Sequence, residues 1–131
     1  MDSDHIRDIF SKFGPVTVRR MFGGAGIYAD GVMFALVAGE VIYLKAGEQN
    51  TPAFEREGLA PFSYEAKGKR MVMSYRKMPD RVYDDPDELS LWAAAALTEA
   101  RRASGKPGIK PPHGERRSLS VFLEHVLRAI R

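Results

Sequence analysis

Two adjacent arginines, Arg19 and Arg20, are the side chains in this sequence best suited to bind an anion. A guanidinium can donate two parallel hydrogen bonds to a carboxylate or a phosphate. The residues around the pair alternate in a way that predicts a β-strand, and adjacent strand residues point to opposite faces. One arginine is therefore expected on or near the packed face, unless the strand bulges. Either it is positioned for an anionic partner, or the pair combines a surface charge with an arginine that is bonded to an acid at a sheet edge.

A second group of basic residues surrounds a predicted hairpin near Gly68. These side chains either form a basic strip for an anionic partner or are the alternating charges of an ordinary solvated sheet. The candidate residues for binding a partner or an anion are Arg19, Arg20, Lys69, Arg70, Arg76 and Lys77, with Lys67 beside them.

The residue types that catalytic and metal sites require are missing or scattered. The sequence has no cysteine, which excludes disulfides, thiolate zinc sites and cysteine nucleophiles. His5, His113 and His125 are far apart, and none has a Glu or a second His at ligand spacing. No serine has the glycine-flanked context of a nucleophile elbow. We therefore predict a protein that is not an enzyme and has no catalytic residue, metal or cofactor.

Acidic residues cluster between positions 80 and 88. Their order is not that of a calcium-binding loop. A helix that starts at Pro86 explains them more simply, because acids at a helix start cap N–H groups and complement the helix dipole. The cluster consists of Asp80, Asp84, Asp85, Asp87 and Glu88.

Three glycines, Gly23, Gly24 and Gly26, follow the arginine pair. A glycine-rich loop can cradle a phosphate when a helix N-terminus follows it. Here the pattern predicts a strand and a hairpin after the glycines. We therefore favour a bend or bulge that needs residues without a Cβ.

The size and composition indicate one small domain. The chain has 131 residues, of which 44% are apolar and 28% charged, so a single core fits. No apolar run could span a bilayer and no signal peptide is recognisable, which predicts a cytoplasmic protein without membrane contact. Residues 1–104 contain 14 Lys/Arg and 15 Asp/Glu, whereas residues 105–131 contain 6 and 2. Attraction to phosphate is thus expected from the tail or from local patches.

Hydrophobic periodicity predicts an α+β domain over residues 1–104. Helices are expected over residues 3–13 with Ser3 as N-cap, after a Thr51 cap, and from Asp85 to about Ser104. Alternating residues predict an antiparallel meander of about five to six strands, with the helices packed on it in two layers. The strand segments are 16–22, 25–28, 32–38, 41–45, 62–67 and 71–76.

Residues 105–117 are predicted to form a basic, proline-containing linker, and residues 118–131 an amphipathic helix. Leaving the apolar stripe of that helix in water would forfeit on the order of 10 kcal/mol. We therefore expect it to dock on the body of the chain or on a second subunit, which would make a homodimer. The stripe comprises Leu119, Phe122, Leu123, Val126, Leu127 and Ile130.

The run 19–28, which contains Met21, Phe22, Gly23, Gly24 and Gly26, resembles the opening of the TfoX (Sxy) N-terminal domain family. The segments 30–34, 43–45, 61–64, 73–75 and 85–88 follow in the order that this family shows. The similarity covers about residues 3–103. The resemblance implies a two-layer α+β fold with no enzyme activity. It also implies a regulatory role, since the best-known relatives are competence regulators that act with the cyclic-AMP receptor protein.

Those relatives carry a second, C-terminal domain, for which the residues after 104 are too few, so we interpret the chain as a single-domain member. Our hypothesis is a cytoplasmic regulatory or adaptor domain that acts through a protein partner, such as the transcription machinery. One alternative is direct, nonspecific DNA binding by the basic tail. Another is a small-molecule site between sheet and helices, lined by Met71, Met73, Tyr75 and Trp92.

Overall fold

Six β-strands join in one antiparallel sheet. The computed structural model describes residues 1–21 and 23–104. Its strands are β1 (Thr17–Met21), β2 (Gly24–Ala29), β3 (Val32–Ala38), β4 (Val41–Lys45), β5 (Pro61–Ala66) and β6 (Lys69–Lys77). Its helices are α1 (Ser3–Ile9), α2 (Thr51–Arg56), a 3-10 helix (Asp80–Asp84) and α3 (Pro86–Ser104). The predicted α+β class is confirmed.

The strand order is β1-β2-β3-β4-β6-β5, and every neighbouring pair is antiparallel. The first four strands form the predicted meander. The last two depart from it, because the chain leaves β4 through α2 and places β5 at the sheet edge before β6 returns beside β4. A tight turn joins β5 and β6, so the hairpin joins the sheet as a unit through its longer strand.

Three two-residue turns set the register of the hairpins. Asp30 and Gly31, which join β2 to β3, have φ angles of 52° and 76°. Positive φ at both central residues is the type I′ geometry, whose twist matches that of the flanking strands. This confirms the turn predicted from the Asp-Gly pair. The turns between β3 and β4 and between β5 and β6 also have positive φ at both residues.

The main core lies between the sheet and the helices. α3 packs across β3 and β4 with Leu89, Ala93 and Ala96, which are fully buried. The alanines let the helix approach the sheet closely, because they carry no bulk beyond Cβ. Phe10 and Phe34 meet edge to face with ring centroids 5.6 Å apart, which fixes the segment after α1 on the same side.

The helix ends follow local capping chemistry. The predicted start of α3 is confirmed, since the side chain of Asp85 accepts a hydrogen bond from the N–H of Glu88 at 3.1 Å. α1 differs from the prediction at both ends. Asp2, not Ser3, caps it by accepting from the N–H of His5 at 2.7 Å, and the helix ends at Ile9 before a turn.

The predicted linker 105–117 and the predicted helix 118–131 lie outside the described residues. Within residues 1–21 and 23–104, no helix is both long and apolar enough to cross a membrane. The domain boundary placed after residue 104 therefore stays a prediction. The site described below is built only from residues before it.

Candidate functional site

Among the described residues, strand residues alone pack one face of the sheet, and we call it the open face. Its buried residues form a cluster separate from the main core. The buried apolar residues that the helices contribute belong to the main core on the other side. In the described chain, no helix contributes a buried residue to the open face. The members of its cluster are Leu36, Ala38, Phe62, Tyr64 and Tyr75, with Met33, Tyr43, Ala66 and Met73 partly buried against them.

Aromatic side chains of the open face meet across a strand. The rings of Tyr43 on β4 and Phe62 on β5 have centroids 4.6 Å apart, although β6 runs between their strands. Two strand spacings separate the backbones of β4 and β5 by about 10 Å, so the two side chains lean toward each other over β6. Leu36, which pairs with Tyr43 in the register, is completely buried on this face.

Two cations lie against aromatic rings of the open-face strands. The guanidinium carbon of Arg19 is 5.9 Å from the ring centroid of Tyr28, and the Nζ of Lys45 is 5.2 Å from that of Tyr75. A cation at such distances is attracted by the electron-rich face of the ring. These contacts limit where the two charged groups can move. The Arg19 and Lys45 side chains therefore present positive charge beside aromatic rings.

Burial shifts the pKa values of Lys45 and Tyr75, which are in contact. Desolvation lowers the pKa of Lys45, while the Glu99 carboxylate opposes that shift. Desolvation raises the pKa of Tyr75, and the nearby phenol of Tyr28 raises it further. The phenol of Tyr75 therefore stays neutral well above the pH at which an exposed tyrosine ionises.

The strands carry far more positive than negative charge. Glu65 is the one acidic residue in the six strands, and it lies opposite Arg70 in the register. Because Glu65 adjoins Tyr64, it points away from the open face. The strand positions of the open face thus contain no acid. The basic strand residues are Arg19, Lys45, Lys69 and Lys77 on the open face and Arg20, Arg70 and Arg76 on the helix side.

The arginine pair lies on the edge strand β1, and both side chains are exposed. Arg19 is opposite Gly26 and Arg20 is opposite Ala25, a core residue, so the pair is divided between the two faces as expected. Arg20 nevertheless stays exposed to water. Neither arginine forms an ion pair within the described residues.

The basic residues of β6 do not form one continuous strip. Lys69 and Arg70 are exposed near the hairpin turn, whereas Lys77 lies eight residues along the strand, about 26 Å away. Arg76 is half-buried and donates a hydrogen bond to the carbonyl of Leu59 at 2.8 Å. Lys77 pairs with Asp80 at 3.5 Å. Of the four basic residues of β6, Lys69 and Arg70 are exposed and form no ion pair among the described residues.

Comparison with known proteins identifies the fold family. The family model for the TfoX N-terminal domain matches residues 8–100. This chain belongs to the TfoX N-terminal domain family. The DNA transformation protein TfoX1 of Aliivibrio fischeri (strain ATCC 700601 / ES114) is 25% identical to it over 105 residues. The alignment covers 77% of this chain and 50% of that protein, so the chain spans about half the length of this curated relative.

The most specific run of the TfoX resemblance forms the hairpin between β1 and β2. Met21 pairs with Gly24, so the chain reverses within two residues, the second of which is Gly23 with a φ of 82°. A side chain is strained in this left-handed region, which explains a glycine there. The predicted bend is confirmed, and because β2 follows, no helix N-terminus is available for a phosphate. Phe22 lies outside the described residues.

The acidic cluster of this TfoX domain is used at the start of α3. Asp87 pairs with Lys12 at 3.0 Å, while Glu88 accepts from Arg81 and from the indole N–H of Trp92. These donors lower the pKa of Glu88. In the described part of the chain, no group of His, Asp and Glu is arranged to hold a metal ion. These contacts give Asp87 and Glu88 a structural role at the helix start.

The prediction of a small-molecule cleft lined by Met71, Met73, Tyr75 and Trp92 is wrong. Trp92 lies on the helix side, where its ring is 5.1 Å from that of Phe54, whereas Met73 and Tyr75 belong to the open face. The sheet therefore separates residues that the prediction placed together. A shallow, open depression of about 310 Å³ lies instead beside α2 and is lined by Ala46, Thr51, Pro61, Val72, Met73, Ser74 and Arg76.

Glu99 is a structurally important residue that the sequence interpretation missed. Its side chain is 6% exposed, and its Oε2 accepts hydrogen bonds from the N–H groups of Gln49 at 2.8 Å and Asn50 at 3.1 Å. It thereby anchors the loop that enters α2 on α3. Thr51, predicted as the cap of α2, lies within the helix and donates its hydroxyl to the carbonyl of Gly47. The position of Glu99, three residues after buried Ala96, is the signal that could have indicated its burial.

Proposed function

We propose that this chain is a competence-related regulatory domain of the TfoX type that acts in the cytoplasm by binding a protein partner, without catalysing a reaction. Membership of the TfoX N-terminal domain family supports the regulatory part. The name of the Aliivibrio fischeri relative, DNA transformation protein TfoX1, supports the link to DNA transformation. The observation that carries the proposal of a protein contact is the composition of the open face.

The open face has the composition of a protein interface. Interface centres are rich in aromatic residues, Met and Arg and poor in Asp, Glu and Lys, a pattern that the open face matches in all but its lysines. The exposed or half-buried residues here include Arg19, Tyr28, Met33, Tyr43 and Met73, and the strand positions carry no acid. Such a surface, already ordered by its own packing, would bind with little loss of side-chain freedom.

The chemistry of the ionisable groups supports binding more than catalysis. Lys45 donates a hydrogen bond to the hydroxyl of Ser74. In an enzyme, a neutral lysine in such a contact could act as a general base for a serine nucleophile. A general base must be neutral, and desolvation does lower the pKa of Lys45, but the Glu99 carboxylate opposes that shift and the Tyr75 ring centroid lies 5.2 Å from the Nζ. We interpret this lysine as a fixed positive charge.

A domain exchange tests the regulatory function. The half of TfoX1 that aligns with this chain would be replaced by residues 1–104 in an Aliivibrio fischeri strain that lacks TfoX1. If this chain has the regulatory role, the chimera restores transformation by added DNA above the level of the deletion strain. The matched control is the remaining half of TfoX1 expressed without a replacement. Expression of a stable chimera with no recovery of transformation would count against a shared role.

Direct DNA binding is the second candidate, and the charge of residues 105–131 favours it, since they contain 6 Lys/Arg and 2 Asp/Glu. Fluorescence anisotropy with duplex DNA would compare the full chain with residues 1–104 at low and moderate salt. An electrostatic anchor predicts binding that requires the tail and falls steeply with salt. Equal binding by both forms would reject the tail as the anchor, and absent binding by both would reject direct DNA binding.

A further inference from the structure

We infer that the open face binds an acidic polypeptide segment that also carries apolar side chains. The inference rests on the proposed function, since it names the chemistry of the protein partner and the surface that receives it. Three properties of the face carry it: the sign of its charge, the fixed position of its cations and the apolar surface around them.

The charge of the open face selects an acidic partner. Its strand positions carry Arg19, Lys45, Lys69 and Lys77 and no acid, while Glu65 points to the other side. Among the described residues, Lys77 pairs with the exposed Asp80 and the Glu99 carboxylate acts on Lys45, so Arg19 and Lys69 are the open-face cations without an acidic partner. Each unpaired cation gains a charge-assisted hydrogen bond when a carboxylate approaches, and Arg19 can form two. Complementary charge also speeds encounter and rejects basic competitors.

The cations are ordered before any partner arrives. Arg19 is held over the ring of Tyr28, and Lys45 over that of Tyr75, at 5.9 Å and 5.2 Å. A long side chain that is already fixed loses less entropy on binding than a free one. The two charges lie on β1 and β4, with β2 and β3 between them, so they mark opposite sides of the surface.

The surface around these cations is apolar and adaptable. Met33, Tyr43 and Met73 are each half-buried on this face. Methionine side chains adjust to irregular shapes, and tyrosine supplies a large apolar contact with few rotatable bonds. Acidic side chains alone would leave this area in water. A segment that alternates carboxylates with leucine-sized residues would satisfy both parts of the face.

Two other occupants fit the face less well. A second copy that used the same face would bring like charges together across a two-fold axis, which costs energy. A single-stranded nucleic acid would satisfy the cations but needs open rings on which bases stack. Phe62, Tyr64 and Tyr75 are only 6%, 7% and 6% exposed, so most of the aromatic surface is already used within the protein.

The test uses pairs of adjacent basic residues that the sheet divides between its two faces. Arg19 and Lys69 lie on the open face, and their neighbours Arg20 and Arg70 lie on the helix side. All four are exposed. The double variants Arg19→Ala with Lys69→Ala, and Arg20→Ala with Arg70→Ala, therefore remove the same charge from the same strands. They differ in the face that loses the charge and in one residue type, Lys69 against Arg70.

The probe is a synthetic peptide of alternating Glu and Leu, titrated into the isotopically labelled full chain and followed by NMR. We expect amide shifts centred on Tyr28, Tyr43 and Lys45. The open-face double variant should bind about three- to tenfold more weakly because two charge-assisted contacts are lost, and the helix-side variant should bind like the natural chain. Matching amide spectra of all three proteins away from the substitutions would establish that they fold alike.

Three results would overturn the inference. One is equal weakening by both double variants, which would mean attraction by net charge alone. Another is the absence of shifts on the open face at millimolar peptide. The third is tighter binding of oligothymidylate than of the peptide at that face, which would assign it to nucleic acid. The chimera experiment is independent. Recovery of transformation with no peptide binding would reject this surface and leave the regulatory function standing. Peptide binding at the open face with no recovery of transformation would support this surface and count against the regulatory function.

Discussion

The carboxylate of Glu99, in the last turns of α3, accepts a hydrogen bond from the backbone N–H of Asn50, 49 residues earlier in the chain. Asn50 in turn accepts from the N–H of Gly47 and donates its side-chain amide to the carbonyl of Lys45. One carboxylate and one amide therefore fix the whole connection between β4 and α2. The consequence is that a residue on α3 controls the end of the strand that carries Lys45.

Replacing Glu99 with alanine should destabilise the fold. The N–H groups of Gln49 and Asn50 would lose their acceptor in a largely buried site, which costs about 1–3 kcal/mol. Glu99→Gln should cost less, since its amide oxygen can still accept. Urea unfolding of both variants would measure the loss. Glu48→Ala is the matched control, because Glu48 is exposed in the same loop and its removal should change stability by less than about 0.5 kcal/mol. Equal effects at Glu99 and Glu48 would contradict the anchoring role.

Gly47 should be intolerant of a side chain only while Glu99 is present. A Cβ at position 47 would lie 2.6 Å from the Cδ of Glu99, too close for any real contact. The carboxylate would have to move and give up its bonds, so Gly47→Ala should cost no more than Glu99→Ala does. In the Glu99→Ala background that cost should largely disappear. A double-mutant cycle by urea unfolding measures this coupling, and additive effects of the two substitutions would disprove it.

The apolar stripe predicted for residues 118–131 should contribute to stability or to assembly. Six large apolar residues recur there at helical spacing, and their exposure would be costly. Deleting residues 118–131 is therefore expected to lower the melting temperature if the segment packs on its own chain. If it packs on a second copy, the mass in solution should fall instead, by light scattering. A deletion variant with unchanged mass and unchanged melting would remove the basis for either role.

Much of the fold could be predicted because each strand and helix is determined by nearby residues. The Asp30-Gly31 turn, the Asp85 cap and the alternation in β5 are local signals, and all three appear as expected. The strand order could not be predicted in the same way. Alternation places Phe62 and Tyr75 on one face, but it does not state that β6 rather than β5 will lie beside β4.

The candidate surface was less predictable than the fold. The arginine pair was recognised from its sequence, and the structure divides Arg19 and Arg20 between two faces. The importance of Arg19 depends on Tyr28 across the hairpin, and that of Lys45 on Tyr75, which is 30 residues away. Glu99 was missed because a pattern of apolar residues gives no indication that a carboxylate on the same stripe will find two backbone donors.

Alkaline pH should destabilise the protein through Tyr75. Burial raises the pKa of its phenol above the ordinary value of 10.0, so above about pH 10 the unfolded chain has lost a proton that the folded chain still holds. The folded state then binds more protons, and stability falls as pH rises. Lys45 acts in the opposite direction, because burial lowers its pKa and the unfolded chain binds more protons as pH approaches 10.5.

Substitution of Tyr75 by phenylalanine separates these two effects, since both proteins keep Lys45. The variant should lose less stability than the natural chain between neutral pH and pH values above about 10, because it has no phenol to ionise on unfolding. Urea unfolding at both pH values gives the comparison, and the neutral measurement corrects for any packing change at position 75. Equal losses of stability in the two proteins would mean that the Tyr75 phenol ionises as readily in the folded chain as in the unfolded one. That result would contradict the burial of the Tyr75 side chain on the open face.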